Sequence, residues 1–368
     1  MQQKPYKILI SGGGTGGHIY PAIAIANGLK EQLPAADFLF VGAEGRMEME
    51  KIPESGFKII GLPIKGLQRK AIFKNLLLPF HVIRSLLKAG KIISDFKPDL
   101  AIGVGGYASG PVLYMAGKKK VPYVLQEQNS YAGLTNKILA KKAKKVFVAY
   151  DGMDKYFPKE NIIFTGNPVR KNISGKNITK SQAAAFFGLD ENKTIILSIG
   201  GSLGALTINK ALYNNHDELL DKNLQLIWQT GKGFYPKAEK FNKKGLFVTD
   251  FIKEMDMAYA AADIIISRAG ALSISELCMV GKAVVLVPSP NVAENHQYKN
   301  AMALVKKNAA LLVEDHIAEE KLIKEVISLS ENKAAQQSLS EASKTMAKEN
   351  AVQDIVNNCI QILEKKDS

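Results

Sequence analysis

Cysteine is scarce in this chain. Cys278 and Cys359 are the only two in 368 residues, and they lie far apart in helical-looking segments. That excludes a disulfide framework or a cysteine metal cluster and fits a reducing compartment. The five histidines are scattered without ligand spacing and no Asp-x-Asp occurs, so metal chemistry has little support. No apolar run approaches the ~20 residues that span a bilayer. The N-terminus shows no signal-peptide core, since Lys7-Ile-Leu-Ile10 reads as a first buried strand, and a cytoplasmic protein is expected. Low-complexity tracts and short-period repeats are also missing.

What is present is an ordinary globular composition, 46% apolar and 23% charged, on a length that suggests two domains. The formal charge of +14 is less ordinary and is unevenly placed. Residues 1–170 carry 25 Lys+Arg against 12 Asp+Glu, whereas residues 171–368 carry 24 against 23. The front half is therefore the half expected to meet a polyanion or an anionic membrane, although a solubilising lysine surface is the competing reading.

Short β-branched runs alternate with helical stretches throughout. In the front half the candidate strands are Lys7–Ile10, Phe38–Val41, Lys58–Ile60, Leu100–Val104, Tyr123–Leu125, Val146–Ala149 and Ile162–Phe164, with helices such as Pro21–Gln32 and Leu76–Ser94. The pattern restarts with Thr194–Ser198, Leu224–Gln229, Leu246–Thr249, Asp263–Ser267, Ala283–Val287 and Ala310–Val313. Apolar strands alternating with helices imply parallel sheets covered on both faces, hence an α/β protein of two doubly wound, Rossmann-like domains. The turn-rich stretch Gly166–Gly175 marks the boundary. It gives residues 1–165 and 166–344, with one helical stretch near Ser338–Glu364 closing the chain and residues 345–368 expected to pack back on the first domain. Ligands of such sheets bind at the carboxyl ends of strands, so the site is expected in a cleft where the two domains face each other.

Three glycine-rich loops follow candidate strands: Ser11–His18, Gly103–Pro111 and Ser198–Ala205. Glycine there lets backbone N–H groups approach an anionic ligand, toward which the next helix turns its positive end. The first loop contains Gly12, Gly14 and Gly17 in dinucleotide spacing. The acidic partner wanted about twenty residues on is poorly matched by Glu44, 27 residues after Gly17. A Walker loop is excluded because no Gly-Lys-Ser/Thr follows. His18 stands at the start of a helix, whose N-terminus disfavours the imidazolium and suits a general base; a histidine that only caps the helix is the alternative. In the back half, the N–H groups around Gly270 to Leu272 are placed to face a pyrophosphate. Glu276 is placed to accept both hydroxyls of a ribose, unless it is simply a solvated helix residue. Gln297 is a candidate for a sugar hydroxyl, while His296 reads as surface. With no metal implied, helix N-termini and Arg170 would have to stabilise a departing diphosphate. Finally, residues 64–93 mix Leu67, Ile72, Phe73, Leu76, Leu77, Leu78, Phe80 and Val82 with Lys65, Arg69, Lys70, Lys74, Arg84 and Lys88. An apolar face ringed by cations suits the headgroup layer of an anionic bilayer. A helix whose apolar face is merely core is the alternative.

GGGTGGHIYPA, GGYASGP, QEQNSYAGLTNK, TGNPVR, GGSLGA and SRAGALSISE, in this order and in both halves, closely resemble the MurG family from Lys7 onward. Those enzymes transfer N-acetylglucosamine from its UDP donor to an undecaprenyl-diphosphate-linked muramyl-pentapeptide, the lipid I to lipid II step of peptidoglycan synthesis. The resemblance implies the glycosyltransferase B-type fold and an inverting, metal-independent hexosyltransferase without a cofactor. It places the enzyme peripherally at the cytoplasmic face of the bacterial membrane. Cell-wall synthesis and division proteins are possible partners, and nucleic acid is not one.

Matched motif by motif, donor contacts would fall on Thr15, Gly16, Gly17, Asn129, Arg170, Ser202, Ile252, Ala271, Leu272, Ser273, Glu276 and Gln297. Gly13, Gly14, Gly105, Gly106 and Tyr107 would receive the acceptor's diphosphate. His18 and Glu127 would contribute to acceptor activation, and the family pattern does not settle which is the base. Gln126 stands where many members have histidine, which puts a catalytic duty there in doubt. Leu203 replaces a common glutamine and removes one side-chain contact to the donor. Rival readings are another UDP-sugar enzyme of the same fold (a 2-epimerase or a glycolipid transferase), a nicotinamide-dependent dehydrogenase, and a non-catalytic membrane scaffold that binds UDP-sugars.

Overall fold

The computed structural model describes residues 5–64, 78–169, 173, 177–201, 203–292 and 295–367. They form two units, Met1–Val169 with Asn350–Ser368, and Arg170–Glu349.

In the first unit the chain runs β1 (Lys7–Ser11), α1 (Gly16–Gln32), β2 (Asp37–Ala43), α2 (Glu48–Glu54), β3 (Lys58–Leu62), α3 (Leu78–Phe96), β4 (Leu100–Gly103), α4 (Ser109–Lys118), β5 (Tyr123–Glu127), α5 (Leu134–Leu139), β6 (Lys145–Val148) and β7 (Ile162–Phe164). All the pairings are parallel, in the order β3-β2-β1-β4-β5-β6-β7. The continuous apolar runs are explained by cover on both faces. In β1, Ile8 and Ile10 join one core with Ile19, Ile25 and Leu29 of α1, while Leu9 between them joins the other with Ala89 of α3 and Val112 of α4. Successive strand side chains point to opposite faces, so β1 must be apolar at every position.

The second unit repeats the plan. It runs α6 (Lys180–Phe186), β8 (Ile195–Ile199), α7 (Leu206–Asp221), β9 (Gln225–Gln229), α8 (Tyr235–Ala238), β10 (Leu246–Thr249), α9 (Met255–Ala261) and β11 (Ile264–Ser267). Then follow α10 (Ala271–Val280), β12 (Ala283–Leu286), α11 (His296–Val305), β13 (Leu311–Leu312), α12 (Ala318–Glu331) and α13 (Lys333–Thr345). The sheet order is β10-β9-β8-β11-β12-β13, again parallel. Both sheets thus have doubly wound order, reversing direction between β1 and β4 in one and between β8 and β11 in the other.

The expectation of a single closing helix near Ser338–Glu364 is corrected. The helix stops at Thr345, and α14 (Ala351–Asp367) begins after a break. The two pieces serve different cores. α13 packs on α10 and β12 of the second unit, whereas α14 packs on α1 of the first. Ile355, Val356, Cys359 and Leu363 of α14 are buried beside Ile25 and Leu29. Gly28 makes the close approach possible, since a Cβ there would lie 2.7 Å from Val352 and 2.9 Å from Val356. Lys366 anchors the end of α14 on Asp99 at 2.8 Å.

Candidate active site

The first two glycine loops leave neighbouring strands. Ser11 of β1 is in register with Gly103 of β4, and the Val104 N–H donates to the Ser11 carbonyl at 2.9 Å. This is the reversal point of the sheet, where doubly wound folds bind their ligands. The loops touch backbone to backbone. A Cβ on Gly106 would collide with the Gly13 carbonyl oxygen and lie 3.0 Å from its nitrogen, and Gly106 has φ +88°. Gly14 also has φ +88°, but the space beside its Cα is open. Its N–H is not. It donates to Glu48 Oε2 at 2.8 Å, so Gly14 can serve a diphosphate only through its missing side chain.

Thr15 is the N-cap of α1 with extended backbone, and Gly16, Gly17 and His18 form the helix's first turn, which holds no acidic residue. The Thr15 hydroxyl lies 3.3 Å from His18 Nδ1. The other edge of the ring rests on the second loop: a Cβ on Gly105 would lie 2.8 Å from Cδ2 and 2.9 Å from Nε2. His18 therefore joins the two loops. Tyr107 is exposed beside them.

Glu127 ends β5 and is buried. Its Oε1 accepts from the Asn129 N–H at 3.1 Å and from Asn129 Nδ2 at 3.4 Å. Its Oε2 accepts from the Gly133 N–H at 3.0 Å and from Asn136 Nδ2 at 2.9 Å. Burial pushes this carboxyl above its usual range, and the donors of Gly133, Asn136 and Asn129 oppose the rise. Both oxygens are thus engaged by donors of the 129–136 segment. Gln126 is buried and structural: its Nε2 donates to Asn167 Oδ1 at 2.9 Å, Asn167 Nδ2 donates to the Gln128 carbonyl at 3.1 Å, and Gln128 Nε2 donates to Gln126 Oε1.

In the second unit the third loop again follows the central strand. A Cβ on Gly204 would collide with the Thr230 carbonyl, and one on Gly231 with that of Leu203. Gln229 ties this loop to the next: its Nε2 donates to the Gly201 carbonyl at 2.9 Å and its Oε1 accepts from the Ile252 N–H at 3.2 Å. Ile252 is buried and held this way, whereas Leu203 is 83% exposed. Behind the loop, Trp228 Nε1 donates to Asn209 Oδ1 at 3.0 Å, and Asn209 Nδ2 donates to the Thr230 carbonyl at 2.7 Å.

Beside it, on the other strand of the reversal point, Gly270 caps α10 in extended backbone, and the first turn (Ala271, Leu272, Ser273) carries no acid. Its amides present the positive end of the helix. Glu276 lies on the same helix and accepts from the Tyr259 hydroxyl at 3.3 Å. Gln297, in the first turn of α11, accepts from the Ser289 N–H at 2.8 Å through Oε1. Arg268, the cation nearest this turn in sequence, is engaged by Asp315 and by the Val287 carbonyl. Arg170 and Ser202 lie outside the described residues, as do 65–77 and, in the 166–175 boundary segment, residues 170–172 and 174–175.

Glu48, Gln128, Gln229 and Asn209 escaped the sequence reading. Glu48, Gln229 and Asn209 reach loop backbone from a distant strand or helix with no local motif to announce them, whereas Gln128 lies inside the QEQNSYAGLTNK motif and donates to the Val104 carbonyl beside the second loop at 2.7 Å.

Residues 8–148 match the glycosyltransferase family 28 N-terminal domain and residues 195–357 its C-terminal domain. A UDP-N-acetylglucosamine--N-acetylmuramyl-(pentapeptide) pyrophosphoryl-undecaprenol N-acetylglucosamine transferase of Parabacteroides distasonis is 52% identical over 99% of this chain and 100% of its own length. The protein of the same name from Cytophaga hutchinsonii is 52% identical over 98% of each. Among solved structures, Acinetobacter baumannii MurG aligns with TM-score 0.78 at 26% identity, covering 96% of this chain and 99% of that one. A UDP-GlcNAc 2-epimerase from Neisseria meningitidis bound to UDP-GlcNAc, 14% identical with TM-score 0.66 over 96% and 100%, shares the fold alone. With glycosyltransferase B-type architecture in two parallel-sheet units and full-length identity of this order, the chain belongs to the MurG family.

Proposed function

We propose that this protein transfers N-acetylglucosamine from UDP-N-acetylglucosamine to the C4 hydroxyl of an undecaprenyl-diphosphate-linked N-acetylmuramyl-pentapeptide. The observation that carries the reading is 52% identity along the whole chain to transferases of that name. The glycine loops at both sheet reversal points support it. In this reading the muramyl hydroxyl attacks the anomeric carbon in line with the departing diphosphate, which inverts the configuration and releases UDP. His18, packed against both loops of the first unit, takes the hydroxyl proton. Gly13, Gly14, Gly105, Gly106 and Tyr107 line the place of the acceptor diphosphate. Thr15, Gly16, Gly17, Asn129, Arg170 and Ser202 contribute to donor binding. The first turn of α10 stabilises the charge of the leaving UDP, Glu276 accepts the ribose hydroxyls, and Gln297 and the Ile252 segment complete the donor site. Glu127 acts by holding Asn129.

The first unit is the membrane-facing one. On α3, Phe80, Ile83 and Leu87 are 57%, 56% and 70% exposed, while Ser85, Ala89, Ile92 and Ile93 face the core. Arg84 and Lys88 flank the exposed row, and an apolar stripe bordered by cations suits an anionic headgroup layer. Among the described residues no helix is long and apolar enough to cross a membrane, so contact by this face is peripheral.

The test uses purified protein, UDP-N-acetylglucosamine and a lipid-linked muramyl-peptide analogue, with and without a chelator. UDP release that requires acceptor and ignores chelator is expected. Release without acceptor, or free epimerised sugar, would instead favour a 2-epimerase. His18→Ala should lower turnover about 10²- to 10⁴-fold, and full turnover would remove His18 as the base.

A further inference from the structure

The first residue of α2, Glu48, lies behind the first glycine loop and is completely buried. Its two oxygens are divided between two backbone amides. Oε1 accepts from Ala43 at the end of β2 at 3.0 Å, and Oε2 accepts from Gly14 at 2.8 Å. Among the described residues no cation forms an ion pair with it. A buried carboxylate without a cation is costly unless its lone pairs are met by donors, and here two main-chain N–H groups meet them. The loop is shaped around the side chain. A Cβ on Gly13 would collide with the Glu48 carboxyl, and one on Gly42 would lie 2.5 Å from its Cγ.

We infer that Glu48 is a positioning residue for the acceptor site, one that sets the orientation of the Gly13–Gly14 peptide. This rests on the acceptor reading of the loops proposed above. The N–H and C=O of a trans peptide point in opposite directions. Glu48 holds the N–H of this peptide, and its carbonyl oxygen lies against Gly106 of the second loop. One carboxylate therefore fixes how closely the two loops pack. It also takes the Gly14 amide out of service as a donor to a bound diphosphate. Gly13 (φ +153°) and Gly14 (φ +88°) hold backbone angles that only glycine adopts readily, so without Glu48 this peptide is free to turn over. A rotated peptide would present its carbonyl to the acceptor's diphosphate and carry His18 away from Gly105.

Glu48→Gln keeps the volume but replaces one acceptor with an NH2 group that faces an N–H. The expected result is a rise of about tenfold or more in the acceptor KM or an equal fall in kcat, as for the loss of one charge-assisted hydrogen bond, with the affinity for UDP by calorimetry unchanged. Gly42→Ala is the second variant. It leaves the carboxylate in place but presses on its Cγ, and it should reproduce the same kinetic signature. Wild-type kinetics in both variants would overturn the inference. So would a loss of acceptor turnover matched by an equal loss of UDP binding, the mark of a merely structural residue. If Glu48→Gln does not fold, the kinetics of Gly42→Ala decide. Failure of the wild type to transfer sugar would instead overturn the functional reading.

Discussion

Gly14 and Gly106 offer a controlled comparison, because both sit at φ +88° while their surroundings differ. Alanine at either position pays the left-handed backbone penalty, about 1–2 kcal/mol, and gains the same small unfolded-state term. At Gly14 the new Cβ meets open space. At Gly106 it collides with the Gly13 carbonyl and stands 3.0 Å from the Gly13 nitrogen, both of them backbone atoms that cannot rotate away. Overpacking of this kind adds about 1–3 kcal/mol. For a unit of this size each kcal/mol lowers Tm by about 2–4 °C. Gly106→Ala should therefore melt about 6 °C below Gly14→Ala in the transition of the first unit, followed by calorimetry without ligand. Turnover would not separate the two, because a methyl at Gly14 projects into the space proposed for the acceptor's diphosphate. Equal melting temperatures would refute the backbone-to-backbone packing of the two loops.

The two thiols and the membrane face give further expectations. Burial pushes Cys278 up to about 11 and Cys359 up to about 12, against an ordinary value near 9. Native protein at pH 8 should resist iodoacetamide, and both thiols should label once it is unfolded; rapid labelling of native protein would contradict their burial. Because both folded values are raised, the thiols' contribution to stability is complete below pH 9. It is lost as pH climbs through about 11 to 12, which a denaturant midpoint measured across that range would detect. Phe80→Ser with Leu87→Ser should weaken pelleting with anionic liposomes several-fold and leave Tm nearly unchanged, since both side chains are exposed. Unaltered pelleting would remove α3 as the membrane contact.

Much of the fold was legible because its signals are local. Apolar runs such as Ile8–Ile10 and Ile195–Leu197 are buried on both faces of a parallel sheet, so their composition alone marks them as strands. Glycines after strands mark turns where the backbone comes close to a neighbour, as at Gly106 and Gly204, or takes a positive φ, as at Gly14, and the motifs of both halves carried the family. The helix break at residues 346–350 was not legible. Each flanking stretch is helical by its own pattern, and only the two separate cores require the chain to part.

The sequence by itself determined the strand and helix alternation, the position of every glycine loop and the helix-start placement of His18, all of which depend on neighbours in the chain. Tertiary structure decided which loops meet. Sheet order puts β1 beside β4, so Gly13 touches Gly106 and His18 rests on Gly105. It also decided that Glu48, 34 residues from Gly14, props the first loop and that Gln229 props the third. A carboxylate's role depends on which donors reach it, and donors brought by distant segments leave no spacing in the sequence to read.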